Sequence, residues 1–218
     1  MSLLQESTSD RTDLRLSLYD FDGTVYNGDS LIDFWKYTVR EKPLGLVFIP
    51  YQFFFAGLYM VKLVSAESLK KSFLIQILLF DNDRLREHIN SFWKVHNVKI
   101  NPWVKDILQE DKKNKPTTVC ISASPGFILQ SISEALSFEA LIATDFLIQN
   151  GKQTNRLSTP NCGGEEKVVR LKNWAESMGK AFVVKKVYSD SEADAPLYRL
   201  ARQSYWVKKG ILRQTQQV

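Results

Sequence analysis

Cysteine is nearly missing from this chain of 218 residues, with Cys120 and Cys162 the only two. Two thiols cannot build a disulfide framework, and neither has the Cys/His spacing of a metal site around it, so a stapled secreted scaffold is excluded and a reducing compartment is expected. Glycine and proline are also few, at 10 and 7 residues, which excludes collagen-like and low-complexity architectures. Histidine occurs twice, at His88 and His96, eight positions apart on an expected helix. That spacing does not put both rings on one face one or two turns apart, and packing is the expected role of each. The opening residues, MSLLQESTSDRTD, contain no apolar run of signal-peptide length, so a cytoplasmic location is expected. Lys and Arg exceed Asp and Glu by 29 to 24, yet the cations are dispersed and form no dense basic helix. Nucleic acid is therefore not an expected partner. What the chain has in quantity is aromatic side chains, 12% of all residues, and many of them crowd into one stretch.

Leu14, Leu16 and Leu18 alternate with Arg15, Ser17 and Tyr19, the period of a strand, and the run ends in DFDGT at residues 20–24. From about residue 30 to 110, apolar residues recur at helical spacing. A polar boundary, KKNKP, follows, with Lys112, Lys113 and Lys115 expected as a solvated hinge. TTVCIS at 117–122 restores strand character and leads through a Pro/Gly turn into a helix near Gly126. LIATDFLIQNGKQTNRL reads as a hairpin about Asn150-Gly151. A helix over 165–177, a strand over 182–190 and a short strand before Gly210 complete the pattern. Strands alternating with helices predict a parallel α/β sheet with its site in the loops at the strands' C-terminal ends, interrupted by a helical insertion after the first strand.

Asp20 and Asp22 lie two positions apart beside Gly23 at a strand end. Two carboxylates in one crevice repel unless a cation or a proton offsets them, although an acidic turn would look the same in isolation. A second acidic cluster, Asp190 and Asp194, follows another strand, so oxygen donors from two strand ends could converge on a hard cation such as Mg²⁺. Ser122 ends a third strand, and Lys167 lies on the helix after NCGGEE. Phosphoryl transfer needs a nucleophile, an acid/base, a metal site and groups that neutralise phosphate oxygens, and this inventory supplies each.

DFDGT, ISASP, the lysine of GGEEKVVRL and YSDSEADAPL occur in the order and rough spacing of the four motifs of the haloacid dehalogenase superfamily, which the chain resembles over residues 14–28 and 115–210. The resemblance implies a Rossmann-like three-layer core with a parallel sheet, residues 1–28 and 113–218, and an inserted all-α cap, residues 29–112. It implies a Mg²⁺-dependent phosphatase in which Asp20 is the nucleophile of an aspartyl-phosphate intermediate and Asp22 is general acid, then base. Mg²⁺ would be held by Asp20, the Asp22 backbone carbonyl and Asp190, with Asp194 in support. Ser122, Ala123, Thr24 and Lys167 would face the phosphoryl group, and Gly23 would shape the turn. Thr24 would fasten that turn or cap the helix after it. The family's dehalogenases resemble this pattern without the aspartate at position 22, so a phosphatase is implied.

An insertion directly after the first motif resembles the C1-cap class, and ISASP with PNCGGEEKVVRL resembles the phosphoserine-phosphatase-like branch. The insertion departs from amino-acid specificity, because it reads VYNGDSLIDFW, with Asp29 and Asp33 but no glutamate, and its arginines are Arg40, Arg84 and Arg86. Trp35 is a candidate for lining the substrate pocket. Residues 44–61 carry no charge and are flanked by Lys42 and Lys62. They read either as a buried helix pair broken at Pro50 or as an interfacial element with Tyr51 and Tyr59 at headgroup level. The whole arrangement loosely resembles bacterial phosphatidylglycerophosphatases of the C type. The expected partner is accordingly a lipid head group, with peripheral contact to the inner face of the membrane, or else a soluble phosphorylated small molecule. A non-catalytic, membrane-associated binding protein is the alternative of another class.

Overall fold

The computed structural model describes residues 13–215, so the reading of the first twelve residues as lacking a leader lies outside the described part. Strand β1 (Leu14–Tyr19) leads into five helices, α1 (Ser30–Glu41), α2 (Ile49–Met60), α3 (Ala66–Phe73), α4 (Asn82–His96) and α5 (Trp103–Asn114). Then come β2 (Thr117–Pro125), α6 (Gly126–Ala135), β3 (Ala140–Thr144), β4 (Phe146–Gln149), β5 (Lys152–Leu157), α7 (Glu165–Ser177), β6 (Phe182–Ser189), α8 (Ala195–Tyr198), β7 (Ala201–Lys208) and β8 (Ile211–Thr215). The main sheet has the order β3-β2-β1-β6-β7-β8, parallel throughout except for β8 at the edge.

Alternation along β1 creates the layers. Leu16 and Leu18 point into a core shared with Val119, Val184 and Leu171 of α7. Tyr19 points the other way, into a core shared with Phe92 and Trp93 of α4, Leu108 of α5 and Leu129 of α6. Helices thus cover both faces, and because β1 is flanked by β2 on one side and β6 on the other, a crevice opens beyond its C-terminal end. Side chains start the inserted helices: Asp29 accepts from Ile32 N at 2.9 Å, Ser65 from Ser68 N at 3.2 Å and Asp81 from Arg84 N at 2.9 Å.

Five local expectations need correction. Helix α5, which a boundary at 112 assigns to the insertion, packs on the sheet: Trp103 stacks on Tyr188 at 5.8 Å, and fully buried Asp111 accepts from Tyr19 Oη at 2.5 Å and Lys186 Nζ at 2.8 Å. Lys112 and Lys113 belong to its last turn and Lys115 is its left-handed C-cap, φ 59°, so this segment is a helix end and not a hinge. The run before Asn150-Gly151 splits in two. Its first part, β3, joins the main sheet beside β2, and only β4 and β5 form the hairpin, with φ of 50° at Asn150 and 74° at Gly151 as a tight turn requires.

The fourth correction concerns residues 44–61. A 3-10 turn, Pro43–Phe48, precedes α2, and Pro50 sits in the first turn of α2, where its missing N–H is harmless. The pair is not buried: 11% of the Pro43–Met60 stretch is inside the protein, and Leu44, Val47, Phe53, Phe54, Met60 and Val61 all stand in solvent. Trp35 does not reach the crevice either, because its Nε1 donates to Gln52 Oε1 at 2.9 Å and its ring meets Phe73 edge-on. His88 and His96 pack as expected, His88 against Phe34, Tyr37 and Phe80 with Nε2 3.0 Å from Thr38 Oγ1, and His96 over Phe92.

Candidate active site

The C-terminal ends of β1, β2 and β6, with the N-terminal turn of α7, surround a cavity of about 350 Å³. Five carboxylates line it, Asp20, Asp22, Asp29, Asp190 and Asp194, against two lysines, Lys70 and Lys167.

Asp20 follows β1 directly, and its backbone N–H donates to Tyr188 O at 2.9 Å, which ties it to the neighbouring strand. Lys167, in the first turn of α7, donates from Nζ to Asp20 Oδ1 and to Asp194 Oδ2, both at 2.8 Å, and all three side chains are buried. Burial works against the ammonium, but Asp20 and Asp194 outweigh it and raise the lysine above its ordinary range. Burial likewise raises Asp20, with Lys167 pulling in the opposite direction. Ser189 Oγ donates to Asp194 Oδ2 at 2.6 Å, so Asp194 is fixed from two sides and holds the lysine in place.

Asp22 is gripped differently. Its Oδ1 accepts from Ser30 N at 2.6 Å, and its Oδ2 accepts a very short bond from Ser124 Oγ. Burial pushes Asp22 up to about 6, against the pull of the Ser124 bond. Neighbouring carboxylates raised in this way are poised to take or give protons.

Gly23 turns the chain between these residues with φ 73°, and a Cβ there would stand 2.0 Å from Asp190 Oδ2. Only glycine supplies both the conformation and the room. Asp190 Oδ1 accepts from Thr24 Oγ1 at 3.3 Å. Thr24 caps no helix, since α1 is capped by Asp29, so of its two expected roles the structure keeps the fastening of the turn. Ser122 is buried at the end of β2, with its Oγ accepting from Ser124 N at 3.1 Å, and Ala123 lies beside it on the cavity wall. The structure thus brings Asp20, Asp22, Ser122, Ala123, Lys167, Asp190 and Asp194 to one cavity, with Gly23 and Thr24 shaping the turn beneath.

Sequence reasoning missed Lys70. From α3 of the insertion its Nζ donates to Ala123 O at 2.5 Å and to Asn161 Oδ1. Inspection of arginines alone passed over it, and nothing in ESLKKSF distinguishes Lys70 from Lys71 except that one face of α3 turns inward. Asn161, adjacent to Cys162, was also missed as a partner.

A parallel sheet flanked by helices, with carboxylates and a lysine gathered at the topological switch point and a helical insertion after the first strand, defines a Rossmann-like hydrolase with a cap. The chain belongs to the haloacid dehalogenase-like hydrolases, whose family match spans residues 18–199. A protein of unknown function from Bordetella pertussis Tohama I is similar over 88% of this chain and 89% of its own, with 24% identity and a TM-score of 0.79. A substrate-bound phosphoserine phosphatase is similar over 88% and 85%, with 16% identity and a TM-score of 0.56. A phosphoserine phosphohydrolase-like protein from Francisella tularensis subsp. tularensis SCHU S4 covers the same shares, with 18% identity and a TM-score of 0.57. These likenesses establish a shared fold. No curated protein matches the sequence.

Proposed function

We propose that this hydrolase cleaves phosphate monoesters through a phosphorylated Asp20. The observation that carries the proposal is the Asp20–Lys167–Asp194 array: the lysine occupies Asp20 Oδ1, and among the described residues no hydrogen bond engages Oδ2. Oδ2 attacks phosphorus as the bond to the leaving oxygen breaks, and Asp22 passes its proton to that oxygen. Water then attacks the phosphorylated Asp20, Asp22 removes the water's proton, and inorganic phosphate leaves. Ser122 Oγ and the amides of the turn after it, together with Lys167, bind the phosphoryl oxygens. Asp194 acts through Lys167, holding it against the nucleophile.

The donor set suits a hard divalent cation such as Mg²⁺. The Asp190 carboxylate lies against Gly23, a cradle that any Cβ would fill, and five carboxylates face the cavity against two lysines, so excess negative charge is available to a cation. Asp20, Asp190 and the Asp22 backbone carbonyl would hold the ion. Bound there, the ion neutralises phosphate charge beside the nucleophile.

The substrate is a phosphorylated small molecule or a lipid head group, and one observation favours the lipid. Exposed Leu44, Val47, Phe53, Phe54, Met60 and Val61 form an apolar surface on the insertion, with Lys42 and Lys62 at its ends, as a peripheral contact with an anionic bilayer requires. Turnover of p-nitrophenyl phosphate with and without Mg²⁺ tests the reaction, and turnover of phosphatidylglycerophosphate against phosphoserine and sugar phosphates tests the substrate. Absence of hydrolysis in every case would leave a non-catalytic binding protein.

A further inference from the structure

We infer that the protein carries a further anion site, remote from the candidate active site, in which Arg15, Lys185 and Arg202 receive a phosphate group.

A cavity of about 510 Å³ opens where the C-terminal turns of α5 meet the first halves of β1 and β7 and the middle of β6. Its size suits a small molecule. None of its lining residues belongs to the cavity that holds Asp20, which lies beyond the opposite ends of these strands.

Strand pairing places the cations. Leu16 pairs with Val184 and Ser17 with Lys186, so the register shifts and Lys185 is the extra residue of a bulge. On the other side Val184 pairs with Ala201 and Lys186 with Gln203, which sets Arg202 beside Lys185. A bulge re-aims the side chain it inserts. Here it adds a lysine to two arginines from neighbouring strands, a grouping that like-charge repulsion disfavours. Desolvation, then Arg202 and Arg15, hold the Lys185 ammonium below its ordinary range.

The cavity has carboxylates of its own, but they are engaged. Asp111 Oδ1 and Glu110 Oε1 lie 2.8 and 3.7 Å from Lys186 Nζ, and Asp111 also accepts from Tyr19 Oη. Among the described residues Arg15, Lys185 and Arg202 form no ion pair. The cavity floor lacks a partner as well: Ser17 is fully buried, and its Oγ has no hydrogen-bond partner among the described residues. A buried hydroxyl left in this way carries a desolvation cost that a ligand oxygen would relieve. Two guanidinium forks, an ammonium and a hydroxyl match the several oxygens and the double charge of a phosphate, whereas one carboxylate would leave more of the positive charge uncompensated. A soluble phosphate ester and a phospholipid head group present the same chemistry.

The experiment measures binding of methylenebisphosphonate, and of phosphatidylcholine vesicles containing phosphatidic acid, in EDTA. It compares wild type with Arg15→Gln/Arg202→Gln and with a control, Lys94→Gln/Lys172→Gln, that removes two exposed charges elsewhere. The arginine pair should weaken at least one probe about tenfold or more, and the control should stay within about twofold of wild type. Without probe, the arginine variant should unfold at or above the wild-type temperature, because its charges repel Lys185 and support no contact in the fold. Loss on the bisphosphonate assigns the site to a soluble ester, and loss on the vesicles alone assigns it to a head group. No binding by wild type, wild-type affinity in the arginine variant, an equal loss in the control, or an arginine variant that unfolds several degrees early would each overturn the inference.

Discussion

Lys167 joins Asp20 to Asp194, and its removal is the sharpest change available at the level of single residues. Lys167→Met leaves Asp20 and Asp194 buried without their cation, and turnover should fall by about 10²-fold or more. Lys167→Arg should not rescue it, since a planar fork does not replace a point charge held between two carboxylates. Steady-state kinetics on p-nitrophenyl phosphate decides both. His88 makes a separate prediction about stability. Burial and Lys42 lower it to about 4, so the folded state binds fewer protons than the unfolded state between that value and the ordinary 6.5. Its contribution is complete above pH 6.5 and is lost as pH falls toward 4, by at most about 2 kcal/mol after allowance for partial solvent screening. Urea titrations of wild type and His88→Gln should diverge as pH rises through that window, and parallel curves would contradict the assignment.

At the level of elements, the turn after β1 is the most constrained piece of backbone. Gly23→Ala puts a methyl on Asp190 at a left-handed position, and it should cost about 1–3 kcal/mol while displacing a candidate metal ligand. Thermal unfolding measures the first effect, and the Mg²⁺ dependence of turnover the second. Helix α2 behaves oppositely. Phe53→Glu with Phe54→Glu alters exposed side chains and should leave stability within about 0.5 kcal/mol per site, yet abolish sedimentation with anionic liposomes. Sedimentation equal to wild type would remove the membrane contact. The contrast between these elements shows what a sequence makes visible. Asp20, Asp22, Ser122, Lys167 and Asp190 could be read directly because each stands at a fixed offset from a strand end or helix start. Lys70 could not, because which lysine of α3 points inward is settled only by how the insertion folds onto the core. For the same reason the apolar run at 44–61 could not be sorted into buried or exposed, and β3 could not be separated from the hairpin that follows it.

Across the whole molecule, the candidate active site and the apolar surface draw on different parts of the chain. The core supplies Asp20, Asp22, Asp190 and Asp194 after its strands and Lys167 from α7, and the insertion supplies Asp29, Lys70 and the apolar surface of α2. Asn82 bonds the main chain of the β4–β5 hairpin at Gly151 and Gln153, and Asn155 Nδ2 donates to Lys71 O at 2.8 Å, so the hairpin ties the insertion to the core on a second side. Chelation should abolish turnover and added Mg²⁺ restore it, without loss of the fold as monitored by circular dichroism. The central claim is that the phosphoryl group passes through Asp20. Rapid acid quench during turnover, followed by peptide mass spectrometry, should find one phosphoryl group on the peptide containing Asp20 in wild type and none in Asp20→Asn. Full turnover with that peptide unmodified, or undiminished activity in Asp20→Asn, would contradict it.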